Sequence, residues 1–567
     1  MILTESLPGT LLEVLRRAGS RKPARGVRVF QATREAEHLP YDELYEDAGR
    51  IAAGLLNRHG GLRGERVALV FPTSGDYCRA FFGVLAAGAV PVPLPPPLRF
   101  SSPQRFAERI RGALLQSRIR LVLGNEKIAP ILEAMVASLG ICAQVLSLAE
   151  LRQGRPVWQE RSPDDPALVQ YTSGSTTSPK GVVLTHRQIV ANLDAIHRAL
   201  EMTGDDISCS WLPLFHDMGL IGCFLGPMYG AIDQLLMPVD DFIREPLAWL
   251  RFIGCYGASL ATAPNWAYGQ CLDRIGPDGA KTVDLSTCRV AINGAEMVDA
   301  AITRKFVQRF QSAGFRPEAM VPVYGLAEAS LAVTFSPLQR GVKSVWVRRS
   351  ALGEGVVQSA KPGETDAREV VSVGKPVSGM EICLLDSAGR AISEGMVGEI
   401  VVRGPSVMSG YERDAEATHG AFREAWLRTG DLGFLLDGEL YMAGRAKDMI
   451  IVRGQNVYAQ DVEALVSGIK GVWSRSAMAI SVPADGTEGL VILAETRVRH
   501  ADRRWAVAGA IRETVSTTLG LAPVDIVLLR PGELPRTSSG KLERYKGITL
   551  CENRCAETSN ELCLTGQ

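Results

Sequence analysis

Short apolar runs recur along this chain with helical patterns between them, and that alternation restricts the fold more than any other feature. Residues 65–71 (ERVALVF) and 119–123 (IRLVL) read as buried strands, and 10–18, 41–58, 76–88 and 101–117 as helices. Strands and helices that alternate in this way build largely parallel sheets, an α/β fold. At 567 residues the chain is too long for one ordinary core, so two or more domains are expected.

Charge and cysteine usage narrow the function. The 62 basic and 62 acidic residues cancel, leaving no electrostatic footprint for nucleic acid or an anionic membrane. Eleven scattered cysteines, an odd count, fit a reducing compartment. Cys551, Cys555 and Cys563 have no histidine among them, so no metal site is expected there. The N-terminus carries proline and charges where a signal peptide needs an apolar core, and a cytoplasmic protein is expected. Residues 80–98 are uncharged and long enough to span a bilayer. Pro91, Pro93 and the prolines at 95–97 argue instead for a helix ending in a proline-rich turn, with no transmembrane segment.

Chemistry gathers in a few stretches. Residues 171–181, YTSGSTTSPKG, combine glycine, hydroxyls and Lys180 between two apolar runs, a composition suited to a polyphosphate. It is not a Walker A loop, because Lys180 stands between proline and glycine. A solvated Ser/Thr turn is the plainer alternative. Thr185 followed by Gln188 is a capping-box pattern, which predicts a helix from there. Residues 210–222, SWLPLFHDMGLIG, put His216 beside Asp217 in a shaped turn, although a lone histidine in apolar company is more often core. The apolar zone at 223–268 serves equally as core or as a slot for a greasy ligand, with 225–236 and 264–268 as candidate walls.

VAINGAE (290–296) and VYGLAE (323–328) are apolar runs that end in glycine turns with a carboxylate. Singly, either is more often an ordinary turn with an exposed glutamate; on the same edge as a phosphate loop, the two together make a nucleotide site at the carboxyl ends of parallel strands. Residues 336–372 form a polar insertion, and 373–386 and 398–404 alternate as antiparallel strands do. LRTGDLG (427–433), GRAKDMIIVR (444–453) and LPRTSSGKL (534–542) follow, with a domain boundary expected in the charged run 445–448.

Taken together, YTSGSTTSPKG, PLFHDMG, NGAE, YGLAE, TGD and the terminal SSGK resemble the adenylate-forming superfamily: acyl-CoA synthetases, luciferases, adenylation domains and fatty acyl-AMP ligases. The resemblance runs from about residue 10 to 545. PLFHDMGLIG, YGLAEASLAVT and the insertion look most like the fatty acyl-AMP ligases, in which such an insertion restrains the small domain and disfavours release to CoA. Met297 and Ala459 stand where that family tends to have proline.

The resemblance implies a large multi-subdomain N-terminal adenylation domain, 1–446, with parallel-rich sheets and a small β-barrel-like part. A small mobile α+β C-terminal domain, 447–567, follows. The implied reaction joins a medium- or long-chain fatty acid to the α-phosphorus of ATP, giving acyl-AMP and pyrophosphate. Transfer to the phosphopantetheine thiol of an acyl carrier protein, acting in trans, completes it. By resemblance Thr172, Ser173, Gly174, Ser175, Thr176 and Lys180 hold the β- and γ-phosphates, and Glu328 binds Mg²⁺. Tyr324, beside Gly325, stacks on adenine, with Asn293, Gly294 and Ala295 alongside. Asp431, assisted by Arg445, takes the ribose hydroxyls. His216 sits near the acyl carboxylate, Lys541 bridges the developing charges, and Lys447 is the hinge. An acyl-CoA synthetase is the close alternative, and an inactive nucleotide- or acyl-binding protein a remote one.

Overall fold

Six consecutive parallel strands form the middle of the largest sheet in the computed structural model: Gly26–Gln31, Asp233–Leu236, Ile207–Ser210, Leu260–Pro264, Val290–Gly294 and Met320–Gly325. Antiparallel edges flank them, Arg34–Pro40 on one side and Ala332–Phe335 with Lys375–Pro376 on the other. The structure describes residues 6–31, 34–97, 103–152, 154–172, 179–452, 455–473, 476–484, 487–537 and 541–551.

A second, four-stranded sheet is wholly parallel, ordered Val90–Leu94, Arg66–Val70, Leu121–Gly124, Gln144–Ser147. Here the sequence reading needs correction. The proline-rich stretch begins not as a turn but as the edge strand Val90–Leu94, after helix Gly75–Ala86. Pro91 and Pro93 are two apart, so both missing N–H groups fall on the same side of the strand, which an edge position tolerates. Among the described residues no helix is long and apolar enough to cross a membrane.

The hydroxyl-rich loop departs from expectation in its setting. Its flanks, Pro166–Tyr171 and Gly181–Thr185, pair antiparallel and belong with Gly410–Tyr411 to a separate three-stranded sheet. A short connection can join antiparallel strands, whereas parallel ones need a crossover. Thr185 and Gln188 form the capping box that starts helix His186–Ala199. The barrel-like part corresponds to a five-stranded antiparallel sheet, Glu381–Leu385, Gly398–Arg403, Trp426–Leu436, Phe422–Arg423 and Glu439–Arg445.

The polar insertion is ordered. Ser344–Arg348 and Ala367–Val371 pair antiparallel, and helix Arg349–Gly353 follows the first of them. Val347, Leu352 and Val370 pack with Phe434, Tyr441 and Ala443 of the five-stranded sheet, and with Tyr458 beyond it. Past residue 448 the chain builds its own sheet, Ala477–Ala484, Thr487–Glu495 and Asp525–Leu529, under helices Ala459–Ser467 and Ala501–Leu519. Its apolar core, from Ile450 to Leu528, is distinct from those of the larger part. Cys551 is buried against Met478 and Ile480; Cys555 and Cys563 lie outside the described residues.

Candidate active site

The carboxyl ends of Val290–Gly294 and Met320–Gly325 open onto a cleft of about 1250 Å³. Its walls include Lys180, His216, Asp217, Glu328, Asp431, Arg445, Lys447 and Lys541. Motifs scattered over more than 350 positions of sequence thus converge, and Lys541 reaches the same space from the small domain.

Strand register explains one pair. Asp431 lies directly opposite Arg445 in the five-stranded sheet, and Arg445 Nε is 2.9 Å from Asp431 Oδ1. The hydroxyl of Tyr324 donates to the other carboxylate oxygen, Oδ2, at 2.8 Å. Burial drives the Tyr324 hydroxyl well above its ordinary pKa and the Asp431 charge adds to this, so the hydroxyl stays a donor. Close backbone approach sets the neighbouring turn. A Cβ on Gly325 would stand 1.9 Å from the Leu331 carbonyl oxygen, so no other residue fits without displacing the backbone.

Glu328 follows in the short 3-10 turn Ala327–Ala329. Tyr411 Oη donates to its Oε1 at 3.0 Å, and Lys180 Nζ sits 4.7 Å from the centre of the same tyrosine ring. Burial, aided by the nearby Asp217 charge, raises the Glu328 pKa. Among the described residues no lysine or arginine forms an ion pair with Glu328, although the Arg445 charge acts on it from farther off. A carboxylate so placed fits Mg²⁺, which commonly takes one or two protein carboxylates and completes its shell from phosphates and water. Among the described residues no cluster of three or more His, Cys, Asp or Glu side chains forms a self-sufficient cage.

His216 Nδ1 and Asp217 Oδ1 are 2.6 Å apart at the start of the π-helix Met218–Leu225. Asp217 also caps that helix, accepting from the Met218 N–H at 2.7 Å. A Cβ on Gly219 would lie 2.1 Å from the Pro213 carbonyl oxygen, which accounts for glycine after HDM. Burial pushes the Asp217 carboxyl up, but His216 and then Lys541 more than offset this, and it is held below its usual range. Asp217 stands beside His216 in the sequence, but that adjacency alone assigns it no place in the site. Burial pushes the Lys541 ammonium down, Arg445 adds to that, and Asp217, Glu296 and Asp431 partly counter it.

Other candidates are placed less directly. The Thr172 N–H donates to the Lys180 carbonyl at 3.0 Å across the loop neck, while Ser173, Gly174, Ser175 and Thr176 lie outside the described residues. Ala295 lines the cleft, at φ 65°. Behind it Asn293 is fully buried and donates from Nδ2 to Asn265 Oδ1 at 3.3 Å; Gly294 packs against Val323. Trp266 lines the cleft, whereas Leu225, Met228, Ile232 and Leu236 pack in the core and are not among the residues lining it. Both departures from the family pattern have places. Met297 Sδ lies 3.9 Å from Arg368 Nη2, and Ala459 is the buried first residue of helix Ala459–Ser467.

Comparison with known proteins places the chain in a family. The AMP-binding enzyme family matches residues 15–412. A medium-chain fatty acid–acyl-carrier-protein ligase, JamA of Moorena producens, is 33% identical over 563 residues, covering 94% of each chain. A Caulobacter vibrioides relative carrying the name acyl-CoA synthetase is 34% identical over 537 residues, 92% of each. Among solved structures, one from work on fatty acyl-adenylate ligases of E. coli and L. pneumophila superposes with a TM-score of 0.90 at 32% identity. That match covers 97% of this chain and 98% of the other.

Proposed function

We propose, on the premise that this chain belongs to the AMP-binding enzyme family, that it is a fatty acyl-AMP ligase whose acyl group passes to a carrier-protein thiol. The chain is an adenylate-forming enzyme, and ATP is the substrate of such enzymes. One observation carries the residue roles: Lys541 of the small domain lines a single cleft together with Asp217, Asp431 and Arg445 of the large one. The boundary belongs at 446/447, with Lys447 as the hinge between the parts.

Phosphoryl transfer needs no nucleophilic side chain; it needs the carboxylate in line with the α-phosphorus and positive charge around the oxygens. Lys180 and the loop from Thr172 to Thr176 hold the outer phosphates. Asp431, fixed by Tyr324 and Arg445, keeps acceptor capacity for ribose hydroxyls. His216, oriented by Asp217, faces the acyl carboxylate, and Lys541 meets the charge that develops between carboxylate and phosphate. Glu328 holds Mg²⁺, which neutralises phosphate charge when bound. Replacing Glu328 by Gln is expected to raise the Mg²⁺ concentration for half-maximal adenylate formation by about tenfold, the range for lost support of a metal site. An unchanged Mg²⁺ titration removes Glu328 from that role.

The acceptor reading draws on the carrier-protein activity in JamA's name and on the insertion's grip on the small domain. Its test is product analysis from ATP, Mg²⁺ and a series of fatty acids, with and without CoA. Acyl-AMP is expected to accumulate in both conditions. Rapid acyl-CoA formation overturns this reading in favour of an acyl-CoA synthetase.

A further inference from the structure

Three positions after Lys541, Arg544 spans two carboxylates with one guanidinium. Nη1 donates to Asp448 Oδ2 at 3.0 Å, and Nη2 reaches both oxygens of Glu463 at 2.8 and 2.9 Å. Asp448 closes the turn Ala446–Asp448 that contains Lys447, and Gln460 Nε2 reaches the same Asp448 oxygen at 3.3 Å. Glu463 lies on helix Ala459–Ser467 and accepts from the Ala479 N–H at 3.0 Å, on the first strand of the small sheet. The backbone around Lys541 also makes local hydrogen bonds. Thr537 N–H donates to the Lys541 carbonyl at 2.8 Å, Lys541 N–H to Thr537 Oγ1 at 3.1 Å, and Glu543 N–H to the Pro535 carbonyl at 3.0 Å.

We infer that Arg544 is a positioning residue for Lys541, tying the lysine-bearing loop to the hinge turn and to the small-domain helix. Rotation about the hinge then delivers the ammonium as part of one rigid body. Arginine suits the task because its planar fork meets two carboxylates at fixed angles, which a lysine point charge does not. A misplacement of 1 Å at a reacting centre costs about 10²-fold in rate, so a loosely held loop is enough to matter. The inference rests on the reading of Lys541 as the catalytic cation.

The experiment is a double-mutant cycle in ATP–pyrophosphate exchange, with the fatty acid that gives the highest wild-type rate. Arg544→Gln is expected to lower kcat by about 10- to 100-fold, with the KM for ATP within about twofold. Arg544→Lys should fall between. In the Lys541→Ala background Arg544→Gln should cost nothing further, because the group it places is gone. A second, multiplicative loss in that background overturns the inference, as does a wild-type rate for Arg544→Gln. A wild-type rate for Lys541→Ala alone instead sinks the reading of Lys541. Should Arg544→Gln fail to fold, Glu463→Gln keeps the shape and one acceptor, and a loss confined to the Lys541 background is again expected. Amide exchange over residues 537–547 gives a second readout: it should quicken in Arg544→Gln or Glu463→Gln while helix Ala459–Ser467 stays protected, and unchanged exchange overturns the inference.

Discussion

Lys541→Ala is expected to lower adenylate formation by about 10³-fold, roughly 4 kcal/mol of transition-state stabilisation, the size seen when a preorganised charge is removed from a reacting centre. The KM for ATP should move little, because under the proposed function Lys180, Asp431 and Tyr324 of the large domain grip the nucleotide. Stopped-flow or pyrophosphate release separates the two parameters. A large rise in KM with unchanged kcat would recast Lys541 as a ground-state phosphate ligand. Its environment adds a pH signature. Burial, with Arg445 adding to it, lowers its pKa from the ordinary 10.5, so the ammonium loses its proton earlier on the alkaline side than a solvated lysine does. Adenylate formation should accordingly decline with rising pH before 10.5, and Lys541→Arg, always charged, should flatten that limb at a lower plateau rate.

How much of this was legible in the letters depends on the range of the interaction involved. The parallel strands at 65–71 and 119–123 and the capping box at Thr185 and Gln188 came through because they follow from local periodicity and local hydrogen bonds. The candidate site residues are visible as motifs, yet their meeting could not be read from spacing. Asp431 faces Arg445 only because two strands pair in one register, and Tyr324 finds Asp431 from another sheet. The strand at Val90–Leu94 was misread because its prolines signal a turn unless the strand is known to lie at an edge. Asp217 was passed over because adjacency to a histidine does not show that Lys541 and Glu328 share its surroundings. The insertion concealed most. Its charged composition reads as solvent-exposed, whereas Val347, Leu352 and Val370 are buried and Arg368 is only 6% exposed.

That arginine is where the insertion takes hold of the small domain, and its removal should alter the acceptor. Arg368 Nε lies 3.1 Å from Asp461 Oδ1, with both side chains buried, and its Nη2 donates to the Ala443 carbonyl at 2.8 Å. Nearby, a Cβ on Gly353 would stand 2.5 Å from the Asn456 carbonyl oxygen, while Asn456 Nδ2 donates to the Gly353 carbonyl at 3.0 Å. The insertion therefore touches the small domain through a buried ion pair, a backbone contact and Tyr458. Breaking a buried pair from one side costs about 3–5 kcal/mol, because the remaining charge is stranded. Arg368→Ala should lower the melting temperature of the small domain's unfolding step and expose the 446–458 region to protease. It should also raise acyl-CoA formation from CoA by at least about tenfold, each 1.4 kcal/mol of lost restraint being worth a factor of ten. Adenylate formation should change far less, since the bonds of Arg368 among the described residues go to Asp461, Ala443 and Met297, none of them assigned to ATP. The double variant Arg368→Met with Asp461→Leu separates adhesion from charge. If the restraint depends on the insertion staying attached, this apolar pair should hold the small domain and keep CoA excluded, as apolar replacements of buried ion pairs often do. Unchanged CoA use in Arg368→Ala, together with a melting curve showing the loosened interface, would separate the insertion from acceptor choice and leave it a purely structural brace.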